Sequence, residues 1–115
     1  AVTSGIAVWN NYKSGVIRPD TIWTINDVTY SDVVSLGTDI VGQASAAGTI
    51  KFATQYMNNY GTSSRLNVII HETGHALRLG HRDETDSVMR PYVTTITTLS
   101  QGDKNNYDYA YNYYY

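Results

Sequence analysis

Leu66-Asn67-Val68-Ile69-Ile70-His71-Glu72-Thr73-Gly74-His75-Ala76-Leu77 is the stretch on which the reading of this chain turns. Leu66, Ile69, Ile70, Thr73, Ala76 and Leu77 recur at helical spacing and form one apolar stripe. The pattern predicts a helix capped by Ser63 or Ser64 and running to about Leu77. On such a helix His71 and His75 stand four residues apart, so their imidazoles leave the same face one turn apart. Two nitrogens so placed can reach a single Zn²⁺ at about 2.0–2.1 Å. Glu72 points roughly a quarter-turn away, beside such a metal rather than onto it. A carboxylate there is a candidate base for a water bound to zinc.

A catalytic zinc needs a third protein ligand and one open position. His81 is the only other histidine, and all three fall within the eleven residues from His71 to His81. The chain has no cysteine, which excludes disulfides, thiolate metal sites and cysteine nucleophiles. With only three histidines, a closed four-ligand structural site is disfavoured. His81 lies beyond the expected end of the helix, so the chain must turn back for it to reach the ion. Asp83 and Asp86 remain the alternative third ligands, because a carboxylate also suits zinc.

The rest of the chain is read outward from this helix. Its 115 residues predict one domain over residues 1–115. The residues are 42% hydrophobic and 16% charged, as in a folded domain rather than a charged, disordered tail. Eight basic against ten acidic side chains, with no basic cluster, argue against nucleic-acid binding. No apolar run approaches the roughly 20 residues of a membrane helix. Val2, Ile6 and Trp9 suggest a helix over residues 1–13. Thr21 to Thr29 and Thr49 to Ala53 alternate as strands, and Leu36 to Val41 reads as a strand or an irregular run. Ser100-Gln101-Gly102-Asp103 matches a capping box and should open a last helix, with Tyr107, Tyr111 and Tyr114 on one face. Six of the eleven tyrosines fall between Tyr107 and Tyr115. They are expected to pack that helix onto the sheet; an aromatic patch for peptide, glycan or self-association is the alternative.

His71-Glu72-x-x-His75, then His81, then Ser87-Val88-Met89-x-Pro91, resembles the metzincin clan of zinc proteases and, within it, the matrixins. Gly42-Gln43-Ala44 and Gly48-Thr49-Ile50-Lys51-Phe52 resemble that family's edge strand and the strand after it. Leu99 to Asp103 resembles the start of its last helix. The resemblance implies an α+β fold: a small twisted mixed sheet, an N-terminal helix, a zinc-binding helix and a C-terminal helix. It implies that His71, His75 and His81 bind one catalytic zinc, that Glu72 is the general base and later the proton donor, and that Met89 floors the site. It also implies that Gln43, Ala44, Ser45 and Ala46 pair with an extended substrate, and that Pro91, Tyr92 and Val93 wall the pocket for the side chain after the scissile bond.

The sequence departs from the family at Arg78, where the family motif has a helix-ending glycine. Either Arg78 takes the left-handed conformation at a cost of about 1 kcal/mol, or the helix runs on to Leu79 and Gly80 ends it, which turns His81 elsewhere. No calcium loop is readable among the scattered Asp and Asn residues, although calcium remains compatible with the resemblance. The expected function is therefore zinc-dependent endopeptidase action on extended polypeptides through a Glu-activated, zinc-bound water. The alternatives are a catalytically impaired zinc- or peptide-binding module and a zinc hydrolase of a non-protein amide or ester. A peptide or protein substrate, no nucleic-acid or membrane partner, a monomeric state and a secreted, bacterial setting complete the expectation.

Overall fold

A computed structural model of the chain describes residues 2–12, 29–45 and 49–114. The elements follow in the order α1 (Val2–Tyr12), β1 (Thr29–Val33), β2 (Gly42–Ala44), β3 (Thr49–Ala53), α2 (Thr54–Met57), α3 (Thr62–Ala76) and α4 (Gln101–Tyr114). The strands form a mixed sheet ordered β1-β3-β2, with β1 parallel and β2 antiparallel to β3. The α+β class expected from the sequence is the one found. Among the described residues, no helix is long and apolar enough to cross a membrane.

β3 is central because its alternation is strongest. Ile50 and Phe52 are buried while Lys51 between them is exposed. They meet Val68, Ile69 and Ala76 of α3 in one apolar cluster. The opposite side of α3 carries Ile70, and with Leu77 it packs against Trp9, Met89, Tyr107 and Ala110 in a second cluster. α3 is thus sandwiched between the sheet and a layer built from α1, α4 and the Val88–Met89 segment. Two glycines permit the close contacts. A side chain on Gly5 of α1 would run into Ile69, and a Cβ on Gly74 would lie 2.5 Å from Met89 Sδ and 3.0 Å from Trp9. The Trp9 indole also donates to the Ile70 carbonyl at 2.9 Å, fixing α1 across α3.

Several sequence expectations need correction. The helix starts one residue earlier than Ser63, with Gly61 at the N-cap and no side-chain cap. A turn of helix at Thr54–Met57 follows β3 directly, where the sequence shows no helical pattern. Leu36 to Val41 takes the irregular one of its two expected forms, and the edge strand begins at Gly42. Of the strand expected over Thr21 to Thr29, all but Thr29 lies outside the described residues; Thr29 opens β1. The capping box is present: Asp103 N–H donates to Ser100 Oγ and Ser100 N–H to Asp103 Oδ2, both at 3.0 Å. Tyr107 is buried against Trp9 and Tyr12 of α1 rather than against the sheet. Tyr109 on the same helix is 72% exposed.

Candidate metal centre

α3 ends one residue after His75, and the way it ends builds the site. Leu77 is the C-cap, and Arg78 takes the left-handed conformation with φ 76°. The Arg78 N–H bonds to the His75 carbonyl and the Leu79 N–H to the Gly74 carbonyl, each at 3.0 Å. These two bonds form a Schellman motif with arginine in the place glycine usually fills. Leu79, 4% exposed, is buried in the core and anchors the reversal. Of the two sequence alternatives the structure takes the first, and Gly80 is not the helix stop. The reversed chain then pairs alongside the Ser87–Met89 turn, with Arg82 N–H bonded to the Met89 carbonyl at 2.9 Å.

The three histidines meet at this point. His75 Nε2 stands 3.1 Å from His71 Nε2 and 3.2 Å from His81 Nε2. The opposite ring nitrogens of the two helical histidines are tied to backbone: His71 Nδ1 to the Val88 carbonyl at 2.9 Å and His75 Nδ1 to the Leu79 carbonyl at 2.7 Å. A carbonyl only accepts, so each Nδ1 carries the proton and each Nε2 presents a lone pair. Lone pairs of neutral imidazoles aimed at one another at this distance repel unless a cation lies among them. Two nitrogens about 2.0–2.1 Å from a tetrahedral zinc stand roughly 3.3–3.4 Å apart, close to the spacings seen. The donor set therefore fits a zinc ion, with the second hydrogen bond that metal-ligating histidines ordinarily make. Among the described residues His71, His75 and His81 are the group able to hold a metal; Asp83 and Asp86 are exposed and take no part in it.

Met89 is fully buried, with its sulfur against Gly74, the residue before His75. The turn that carries it is fixed by Asp103, which accepts from Ser87 Oγ and from Val88 N–H. Sequence reading assigned Asp103 only a capping role. Its contacts with residues 15 and 16 positions away leave no trace in local pattern.

Glu72 is 6% exposed and lies against Gly42, where an added Cβ would come within 2.8 Å of its Cγ. The glycine of the edge strand thus makes room for the carboxyl. Burial raises the Glu72 pKa from 4.5 to about 7. Burial also lowers His71 from 6.5 to about 4, partly offset by its bond to Val88, and lowers His75. Neutral imidazoles are the form a metal takes.

These shifts act on stability with opposite signs. Neutral His71 stabilises the metal-free fold fully above pH 6.5, and this is lost as pH falls through 4. Protonated Glu72 stabilises it fully below pH 4.5, and this is lost as pH rises through 7. Each displacement is worth about 3 kcal/mol. The metal-free Glu72→Gln variant is therefore expected to gain stability over the parent progressively from pH 4.5 upward, by about 3 kcal/mol at about pH 8. Urea titrations of both proteins at several pH values read this directly. A stability difference independent of pH would mean that Glu72 ionises in the fold as it does in water.

Histidines, Glu72 and edge strand open onto one cavity of about 740 Å³. Gln43, Ala44, Pro91, Tyr92 and Val93 line it as well, bringing most of the expected substrate-contacting residues beside the histidines. Ser45 lines a separate depression, and Ala46 lies outside the described residues. The register refines which backbone groups are free. Gln43 pairs with Lys51, the Ser45 N–H bonds to the Thr49 carbonyl and the Ala53 N–H to the Val41 carbonyl. In an antiparallel ladder the intervening residues then turn their N–H and C=O away from β3. Gly42 and Ala44, not Gln43 and Ser45, face the open edge.

Fold and site together define an α+β protein built around three histidines able to hold a metal, with a buried carboxyl beside them. The particular family follows from comparison with known families. A model of the matrixins matches residues 18–112, and the chain belongs to that family of zinc-dependent peptidases. No curated protein matches the chain.

Proposed function

We propose that this chain is a zinc-dependent endopeptidase that cleaves extended polypeptides, with Glu72 as the proton carrier. The convergence of three Nε2 atoms beside a buried carboxyl, under an open strand edge, carries the reading. His71, His75 and His81 would hold the zinc. When bound, zinc supplies a Lewis acid that polarises a carbonyl and makes water more acidic. Gly42 and Ala44 offer their outward N–H and C=O groups to a substrate laid along the edge as an added strand. That pairing fixes the substrate backbone relative to Glu72, whose side chain packs under Gly42. The Glu72 carboxylate takes a proton from the attacking water as the carbon–oxygen bond forms. The same carboxyl gives a proton to the leaving amine as the carbon–nitrogen bond breaks. A carboxyl that can both take and give a proton serves both halves of that exchange.

The binding-module alternative depended on Arg78 turning His81 away. With Arg78 in the left-handed region and His81 Nε2 beside His75, that motive is absent. The deciding measurement is hydrolysis of denatured casein before chelation, after it, and after zinc is returned. Activity is expected to vanish with the chelator and return with zinc. A folded, zinc-loaded protein that cleaves no polypeptide overturns the proposal; cleavage of small esters or amides alone would assign the site to a hydrolase of another substrate class.

A further inference from the structure

The cavity beside the histidines contains a cation that peptide hydrolysis does not use. Arg90 lies between Met89 and Pro91 and lines this cavity. Its Nε is buried and has no hydrogen-bond partner. Among the described residues no carboxylate forms an ion pair with it, whereas Arg82 on the surface is paired with Glu84. The Arg90 guanidinium carbon sits 5.8 Å from the centre of the Tyr92 ring. Stacking on an aromatic face leaves the edge of a guanidinium, with its N–H donors, open to a partner. A buried donor on a charged group without an acceptor is unfavourable, and such a group in a cleft wall is complementary to an acceptor supplied from outside. The cavity's own carboxyl groups, Glu72 and Asp39, form no ion pair with Arg90; Glu72 is buried against Gly42, and Asp39 stands on an exposed turn.

Resting on the peptidase reading, we infer that Arg90 is a specificity-determining residue that selects a carboxylate side chain, glutamate or aspartate, in the part of the substrate lying against Arg90–Tyr92. A carboxylate in the cavity can meet the two Nη groups end-on as two parallel donors, a planar fork that arginine forms and lysine does not. With Nε buried and the side chain only half-buried, the Nη end is what the residue offers to the cavity.

A peptide series tests this, in which one glutamate is moved along the positions either side of the cleaved bond and compared at each with glutamine. Every peptide is made with a free and an amidated C-terminus. One position is expected at which glutamate raises kcat/KM by about ten- to a hundredfold over glutamine, with either terminus. Arg90→Gln is expected to abolish that ratio, Arg90→Lys to restore it in part, and Arg90→Glu to favour lysine at the same position. A gain for lysine is something that a merely structural role of Arg90 would not produce. Equal cleavage of glutamate and glutamine peptides overturns the inference and leaves the peptidase reading standing. A preference that follows only the free C-terminus overturns the side-chain assignment. If the zinc-loaded protein cleaves no peptide, the peptidase reading fails, and anisotropy titrations with the same labelled peptides decide about Arg90. Tighter binding of the glutamate peptide that disappears in Arg90→Gln supports the inference, and equal binding overturns it. The parent protein's own ratio needs no variant and stands even if a substitution impairs folding.

Discussion

Replacing Glu72 with alanine is expected to lower kcat by about a hundred- to ten-thousandfold while zinc remains bound at one ion per chain. The two halves of this result have separate causes. Glu72 makes no hydrogen bond to the histidines, and the Nδ1 atoms of His71 and His75 are oriented by the Val88 and Leu79 carbonyls. Those carbonyls belong to the chain beyond the helix end, at its reversal and in the Ser87–Met89 turn, and are untouched by the substitution. The ligand set therefore survives. What is lost is the carboxyl that, in the proposed mechanism, carries the proton from water to the leaving amine. The fold also tolerates the change, because an ionised carboxylate 6% exposed is a cost to the native state, not a support. Steady-state hydrolysis with metal analysis of the same sample measures both halves. If activity stays within tenfold of the parent, another group moves the proton. If zinc leaves with the carboxyl, Glu72 holds the metal centre and does not merely serve it.

The parts of this site legible in the sequence are those set by local geometry. His71 and His75 are four apart on a helix whose apolar stripe is unbroken, so their shared face follows from helical pitch alone. Thr49–Ala53 alternates and is buried on one face, so it reads as a strand without help. β1 reads poorly because Thr-Tyr-Ser-Asp-Val is mostly exposed and presents no apolar face. β2 is three residues long, too short for a period to register. The end of α3 shows a subtler gap. Local propensity favours Gly80 as the stop, yet the chain reverses at Arg78, because burying Leu79 in the core outweighs about 1 kcal/mol of left-handed strain. Arg90 is illegible in the sequence for a related reason. An arginine in a turn reads as a surface charge until the structure shows its Nε buried in the cleft wall.

Asp103→Ala is the substitution expected to cost the most stability, about 3–5 kcal/mol, although the residue touches neither metal nor substrate. Asp103 is fully buried. Its carboxylate accepts from Ser87 Oγ, from Val88 N–H at 2.9 Å and from Ser100 N–H at 3.0 Å. Alanine strands three buried donors at once, each worth about 1–3 kcal/mol when left without an acceptor, with relaxation recovering part of the sum. Asp103→Asn is expected to cost far less. Its amide oxygen can keep both N–H donors, while its NH₂ group donates to Ser87 Oγ once that hydroxyl turns. The difference reaches the metal through one residue. Val88 gives its N–H to Asp103 and its carbonyl to His71 Nδ1, and Ser87 Oγ also receives the Met89 N–H at 2.9 Å. Loosening that turn frees the His71 ring, so zinc affinity in Asp103→Ala should fall by about ten- to a hundredfold, as for other groups that orient metal-ligating histidines. Urea denaturation and zinc competition titrations, run on alanine and asparagine variants together with Ser87→Ala, separate the two effects. Ser87→Ala removes one of the three bonds and should fall between parent and Asp103→Ala in both measurements. A stability loss below about 1 kcal/mol in Asp103→Ala would mean that water takes over the three donors. The Ser87–Met89 turn would then be held by its packing around Met89 and not by the carboxylate.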